Sequence, residues 1–388
     1  MTHLTIKPSF ASYDVIILGA GPAGATAALA LQKSGLKIAL VDKHSFPRDK
    51  ICGDAIGGRV RRVLAELDTA LAHRLDEIPT SLIATGWRLV APSGREVTAF
   101  FKTPGKVCAR YDFDDFLFRE AIQSDHVDNL SDHRITDIEV SDSDVKIHHA
   151  GGMISGAVLI ACDGANSIVA RKFFNRQVLP DYHSGAVRAY YKGVKGIQGS
   201  NLLEIHLIKG RLPGYFWIFP LPDNRCNVGF GMLTRDLSER RIDLKTTLKD
   251  IIKETPELAV RFREAKLEGK IQGFGLPLGG RKIKVSTTRI LLCGDAASLI
   301  DPLNGEGIGN AVLSGKLAAE WVQKAFDQDQ FSEDFLSCYD TDIHGKLLDE
   351  LKFKLRLQKL FNRPWLIELL VRIGSSSSTI RNLIASKL

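Results

Sequence analysis

The stretch Gly19-Ala20-Gly21-Pro22-Ala23-Gly24 constrains this chain more than any other. It follows residues 13–18 (YDVIIL), a continuous apolar run rich in β-branched side chains that reads as a buried parallel strand. It leads into residues 23–34, which have helical character and stop before Gly35, a suitable C′ glycine. Residues 36–41 (LKIALV) form the next strand, ending at Asp42. The whole is a βαβ unit within about thirty residues. Such a turn uses glycine for the tight bend, for close backbone approach to a pyrophosphate, and for packing of helix on strand. The helix start offers unpaired N–H groups and partial positive charge to phosphate, and Asp42 is placed to accept from ribose hydroxyls. These residues imply a dinucleotide site at Gly19, Gly21, Ala23, Gly24 and Asp42, with Lys43 beside it. Residues 15–31 are apolar enough to suggest a membrane span, but three glycines and a proline inside them favour strand, turn and helix.

With 388 residues there is room for one large α/β domain and a smaller one. The six cysteines are scattered, with no CxxC, which fits reduced thiols and a cytoplasmic protein. No Cys/His spacing suggests a metal site, and the N-terminus lacks the pattern of a signal peptide. The net charge is +7, and residues 343–388 hold nine Lys/Arg against three Asp/Glu, a local +6. A nucleic-acid reading would need a basic groove with stacking aromatics, and none is visible. A basic, apolar tail suits a membrane surface or a solvated helical face.

Along the chain, residues 59–67 and 112–123 read as helices, 86–101 as β structure around a turn at 92–94, and 135–147 as a hairpin. Residues 157–161 and 289–292 read as buried strands, and 309–325 as a long helix. Residues 181–274 are rich in strands and aromatics. The expected fold is α/β with an α+β second domain. A Rossmann-like nucleotide domain (1–80, 105–180 and 281–330) receives an inserted antiparallel-sheet domain (81–104 and 181–280). A helical C-terminal region (331–388) follows. Within it LKFKLRL (351–357) alternates like a strand between helical flanks.

Two further segments identify the nucleotide by resemblance. Cys162-Asp163-Gly164-Ala165-Asn166-Ser167 resembles the "DG" segment of flavoproteins with the para-hydroxybenzoate hydroxylase fold. Leu292-Cys293-Gly294-Asp295-Ala296-Ala297, with Asp301-Pro302 and Gly305-Glu306-Gly307-Ile308-Gly309-Asn310, resembles their "GD" segment. The resemblance implies FAD, with Asp163, Gly164 and Asp295 on the cofactor and Gly305, Gly307 and Ile308 meeting the isoalloxazine ring. It also places Arg110 beside the flavin. A helix N-terminus there would favour the anionic reduced flavin.

Two more segments resemble the geranylgeranyl reductase family. Pro47-Arg48-Asp49-Lys50-Ile51-Cys52-Gly53-Asp54 is similar to its P-x-x-x-x-C-G-G, and Tyr215-Phe216-Trp217-Ile218-Phe219-Pro220, eight residues, then Gly229-Phe230-Gly231, is similar to its YxWxFP-x(7–8)-GxG. Asp54 departs from the family's glycine. The resemblance implies Arg48, Cys52 and Gly53 at the flavin. It implies an isoprenoid-binding surface at Tyr215, Trp217, Phe219, Pro220, Gly229 and Gly231. An apolar chain of this kind is held by buried area, at ~0.8 kcal/mol per CH₂, and aromatics bring area with few rotors. Without the resemblance the alternating aromatics would read as sheet core. Cys52 is the candidate catalytic residue, its alternative role being a small residue in a tight turn.

The implied activity is hydride transfer from reduced FAD to a carbon–carbon double bond of an isoprenoid chain. No second dinucleotide fingerprint is present, so NAD(P)H or a ferredoxin would dock transiently as donor. The alternatives are a flavin monooxygenase or halogenase on the same fold, for which no active-site lysine is identified, and a non-catalytic flavin- and lipid-binding protein.

Overall fold

The computed structural model describes residues 9–197 and 199–376, organised by two eight-stranded sheets. In the first, five strands run parallel in the order Ile290–Leu292, Gly152–Ala161, Ser9–Leu18, Ile38–Val41 and Val127–Leu130. The hairpin of Ile135–Val140 and Val145–His149 adds to the Gly152–Ala161 strand. The central stretches 15–18, 38–41 and 157–161 are apolar throughout because both faces are covered. Val15, Ile16, Ile17, Leu40 and Leu159 are fully buried, in one core with Leu31, Phe113, Leu117, Val312 and Tyr339 from the surrounding helices.

The second sheet runs Lys266–Pro277, His183–Lys192, Arg225–Leu233, Tyr215–Leu221, Leu202–His206, Ser81–Val90, Glu96–Cys108, Ala55–Ile56. An antiparallel sheet was expected, and one pair departs from it: Leu202–His206 lies parallel to Ser81–Val90. These two strands come from separate stretches of chain, so no hairpin dictates their direction. One face carries Val187, Phe216, Ile218, Val228 and Phe230 against helices Leu244–Glu254 and Pro256–Phe262. The expected boundary at residue 104 is also passed, since Glu96–Cys108 stays in this sheet and Ala55–Ile56 pairs with its end.

The C-terminal region is helical over Glu333–Leu360 and Pro364–Ser376. Residues 377–388 of the expected helical region and residues 1–8 of the nucleotide domain lie outside the described residues. The alternating 351–357 stretch is helix. Ile343, Leu347, Leu351 and Leu355 form a row at four-residue spacing, and all four are buried. That row overrides the local alternation.

Candidate active site

Three loops distant in sequence meet because the strands before them are parallel neighbours. The first strand delivers Gly19, Gly152–Ala161 delivers Cys162 and Asp163, and Ile290–Leu292 delivers Gly294 and Asp295, all at carboxyl ends. Backbone bonds fix the alignment: Cys162 N–H donates to Leu18 O at 2.7 Å and Cys293 N–H to Ala161 O at 2.9 Å. Gly19 has φ +101°, and a Cβ there would stand 2.2 Å from the Cys162 carbonyl oxygen. No residue other than glycine fits. Asp42 closes the turn, accepting from Ala20 N–H (2.8 Å) and His44 N–H (2.9 Å).

These loops bound a cleft of about 590 Å³ whose opposite wall, Gln272, Phe274 and Leu276, comes from the second sheet. Of the sixteen residues expected at the cofactor, Gly24 alone stays out of the lining; it packs behind Gly19. Helix Pro22–Leu31 opens with Gly21 as N-cap, no capping side chain and no acid in its first turn, so its N-terminal donors face the cleft unneutralised. Asp163 uses Oδ2 on Ile168 N–H (2.8 Å), while Oδ1 is buried without a partner and burial pushes the carboxyl above its usual range. A buried orphan acceptor beside an uncapped helix start fits a ligand carrying both phosphates and hydroxyls, as FAD does. Gly307 caps helix Ile308–Gln328, whose Gly309 N–H is taken by the Glu306 carboxylate at 2.6 Å.

Beneath the cleft, Arg110 grips Asp114 with two bonds (2.5 and 2.7 Å), and Arg48 adds a third at 2.9 Å. Burial alone would raise the Asp114 carboxyl. The Arg110 charge and hydrogen bonds, with Arg48, outweigh it and hold the carboxyl below the usual range. Asp295 pairs with Lys50 Nζ at 3.0 Å, and Lys50 also lies over the Phe274 ring.

The aromatic stripe stands against the wall of this cleft. Tyr215, Trp217 and Phe219 share one face of strand Tyr215–Leu221, with ring centroids 5.9 and 6.2 Å apart. A Cβ on Gly53 would meet Phe219 at 3.2 Å and the Trp217 Nε1 at 3.7 Å. Tyr215 O–H donates to Asn304 O at 2.6 Å, next to Gly305. The stripe thus touches both the cysteine turn and the turn before helix Ile308–Gln328. Half-buried Phe101, Leu203, Leu212 and Phe361 pack on the adjoining apolar clusters. Two expectations change. Pro220 pairs with Cys226 on the opposite face, with Phe216 and Ile218. Gly229 does not receive a ligand: the Trp217 indole fills its space, and a Cβ there would lie 2.1 Å from Cζ2. Gly231, opposite Tyr215, has Trp217 3.8 Å from a Cβ position.

Sequence reasoning missed Asn227 and the pairing roles of Asp114 and Lys50. Asn227 accepts from Trp217 Nε1 (2.9 Å) and donates to Cys52 O and Asp54 Oδ2, both at 2.7 Å. The four-residue spacing of Arg110 and Asp114 on one helix was the available signal for that pair. Asn227 had none, because Cys52 and Asp54, the partners that place it at the site, lie far away in the chain.

A nucleotide cleft at the carboxyl ends of a parallel sheet, walled by a second sheet with an apolar face, defines an FAD-dependent oxidoreductase. Residues 12–177 match the FAD binding domain family. The fold is that of a geranylgeranyl bacteriochlorophyll reductase-like protein from Thermoplasma acidophilum (TM-score 0.83, 23% identity, 98% of this chain and 97% of that one). It is also shared with a flavin-dependent brominase (TM-score 0.74, 21% identity, 96% and 98%). In sequence the chain is 31% identical to the digeranylgeranylglycerophospholipid reductase of Methanococcus vannielii over 364 residues, 90% of this chain and 87% of that protein. It is 32% identical to the menaquinone reductase of Mycobacterium tuberculosis over 333 residues, 80% and 76%. The chain belongs to the geranylgeranyl reductase family of FAD-dependent oxidoreductases.

Proposed function

We propose that this enzyme saturates carbon–carbon double bonds in the isoprenoid chain of a lipid. The observation that carries the reading is the contact of the Tyr215–Trp217–Phe219 stripe with the Gly53 and Gly305 turns, both of which line the cofactor cleft. The two relatives named above act on a glycerophospholipid and a quinone. These differ in head group and share a prenyl chain, the part an apolar stripe recognises.

FAD, when bound and reduced, supplies a hydride to one alkene carbon. The Gly19–Gly21 turn and Asp163 would hold its phosphates and hydroxyls, with Asp295 near the sugar-like chain. The stripe orients the alkene and, with Phe101 and Leu203, excludes water. Cys52 sits at the junction of cleft and stripe, its carbonyl held by Asn227, with the Arg110 guanidinium beside its thiol. That position suits delivery of a proton to the second alkene carbon. A transient donor, NAD(P)H or a ferredoxin, reloads the cofactor.

The substrate also suggests where the enzyme works. Arg356, Lys359 and Arg363 are exposed and in no ion pair among the described residues. Exposed Phe353, Leu360 and Trp365 accompany them. This face suits peripheral contact with an anionic lipid surface. Among the described residues no helix is long and apolar enough to cross a membrane.

The test is anaerobic incubation of the FAD-loaded enzyme and a reductant with prenylated glycerophospholipids and menaquinones, read by mass spectrometry. The expected product gains one H₂ per double bond. Reduced enzyme that leaves every prenyl chain unchanged would sink the proposal. Anaerobic bleaching of the flavin by NADH, NADPH or reduced ferredoxin identifies the donor.

A further inference from the structure

Asp54 is fully buried and sits at φ +65°, where glycine is at ease and aspartate is tolerated. Its carbonyl accepts from Cys108 N–H at 2.9 Å. Its Oδ2 accepts from Tyr190 O–H (2.8 Å) and Asn227 Nδ2 (2.7 Å), while Oδ1 is buried without a partner. The nearby cations are engaged elsewhere. Arg188 Nη2 contacts both oxygens of Asp49 at 2.6 Å, and Arg110 holds Asp114. A carboxylate buried without an ion pair is costly, so its retention calls for a role.

That role is visible in Asn227. Its two amide hydrogens go to Asp54 and to the Cys52 carbonyl, and its oxygen takes the Trp217 indole N–H. One amide therefore ties the flavin-side turn to the substrate-side stripe, and Asp54 holds that amide in place. We propose that Asp54 is an ionisable positioning residue: as a carboxylate it locks Asn227, registering Cys52 against Trp217, and protonation loosens the lock. The proposal rests on the reading that the Cys52 turn faces the flavin and the Trp217 stripe the substrate.

Hydrogen bonds to an ionised acceptor are roughly twice as strong as those to a neutral one, so the lock weakens when the proton arrives. Burial pushes the Asp54 carboxyl up to about 6, against the opposing pull of Asn227, Tyr190, Arg188 and Arg110. The groups facing it are Tyr190 and Arg188 on strand His183–Lys192, Arg110 on helix Arg110–Ala121 and Cys108 on strand Glu96–Cys108, with Asp49 and Cys52 on its own segment. Burial holds Tyr190 and Cys108 protonated, and both arginines stay charged, so those neighbouring strands and helix present constant charge across the transition.

The test uses the FAD-loaded full chain between pH 5 and 8. Visible absorbance of the bound flavin is recorded without substrate, and KM and kcat are recorded with a prenyl lipid. Wild type should show an absorbance step near pH 6, and KM should rise about tenfold below it, with a smaller change in kcat. Asp54→Asn should abolish the step in both. Tyr190→Phe removes a bond that favours the charged form, so the midpoint should move up by roughly half to one pH unit. Should Asp54→Asn fail to fold, Tyr190→Phe decides alone, and an unmoved midpoint overturns the proposal. A step that survives in Asp54→Asn also overturns it. An absorbance step removed by Asp54→Asn, in an enzyme that reduces no prenyl lipid, supports the lock and removes the reductase reading instead.

Discussion

A buried carboxylate leaves its mark on stability as well as on the site. The Asp54 carboxyl stands at about 6 in the folded chain against an ordinary 3.8, so the native state binds this proton more tightly than the unfolded state does. The stability contributed by the neutral acid is complete below about pH 4 and is lost as pH rises through about 6. Two pH units at ~1.4 kcal/mol each set the scale at ~3 kcal/mol. Asp54→Asn cannot titrate. Whatever its constant offset, it should therefore gain on wild type by up to ~3 kcal/mol between pH 4 and pH 7 in urea unfolding. A difference that does not vary with pH would refute the assignment. Gly229 is a second single-residue test. Alanine there would place Cβ 2.1 Å from Trp217 Cζ2 and 2.4 Å from the Val187 carbonyl. Gly229→Ala should lose about 1–3 kcal/mol and raise KM for the prenyl chain while FAD stays bound. Unchanged KM would detach Trp217 from substrate binding.

At the scale of elements, helix Glu333–Leu360 anchors the loop that leads into helix Ile308–Gln328. Lys354, part of the basic stretch whose sequence suits a membrane surface or a solvated helical face, is instead buried, its Nζ 2.6 Å from the buried Asp301 and 3.2 Å from Glu350. Leu347 and Leu351, apolar residues of the same stretch, are buried as well. Lys354→Met leaves Asp301 uncompensated and should cost about 3 kcal/mol, with weaker FAD retention. Adding Asp301→Asn should recover part of the loss, and no recovery would show that the pair acts separately. The contrast shows what a sequence makes legible. The 19–24 turn, Asp42, Asp163 and Asp295 could be read because each sits at the end of its own strand in a local pattern. The lysine's depth could not, because it depends on a partner 53 residues away. Asn227 depends on partners 173 and 175 residues away, so its place at the centre of the site emerges only once the two sheets meet.

The whole molecule divides its surface as its chemistry requires. The cofactor cleft lies between the two sheets, the aromatic stripe stands against its wall, and the last helix, Pro364–Ser376, packs on strand Glu96–Cys108 of the second sheet. There Ile367 and Val371 pack on Trp87 and Ala99, and Glu368 accepts from Ser93 N–H at 2.8 Å. This docking turns Trp365, Leu369 and Leu370 outward, 62%, 43% and 38% exposed, and Arg356, Lys359 and Arg363 are exposed in the stretch of chain just before them. Arg356, Lys359 and Leu360 follow three- and four-residue spacing near the end of helix Glu333–Leu360, so they share one face of it, and Arg363 stands in the short turn that follows. An amphipathic face of this kind binds bilayers through apolar insertion plus attraction to anionic head groups, at ~1 kcal/mol per basic residue near the surface. Sedimentation with phosphatidylglycerol vesicles should therefore exceed that with phosphatidylcholine vesicles and fall with salt. Reversing Lys359 and Arg363 to glutamate should weaken binding at least tenfold, and Trp365→Ala should weaken it on both vesicle types. FAD content should be unchanged in both variants, because neither site lines the cleft. Equal sedimentation of wild type and the charge-reversed variant would mean that this face meets solvent or another protein, and that the lipid reaches the stripe by another route.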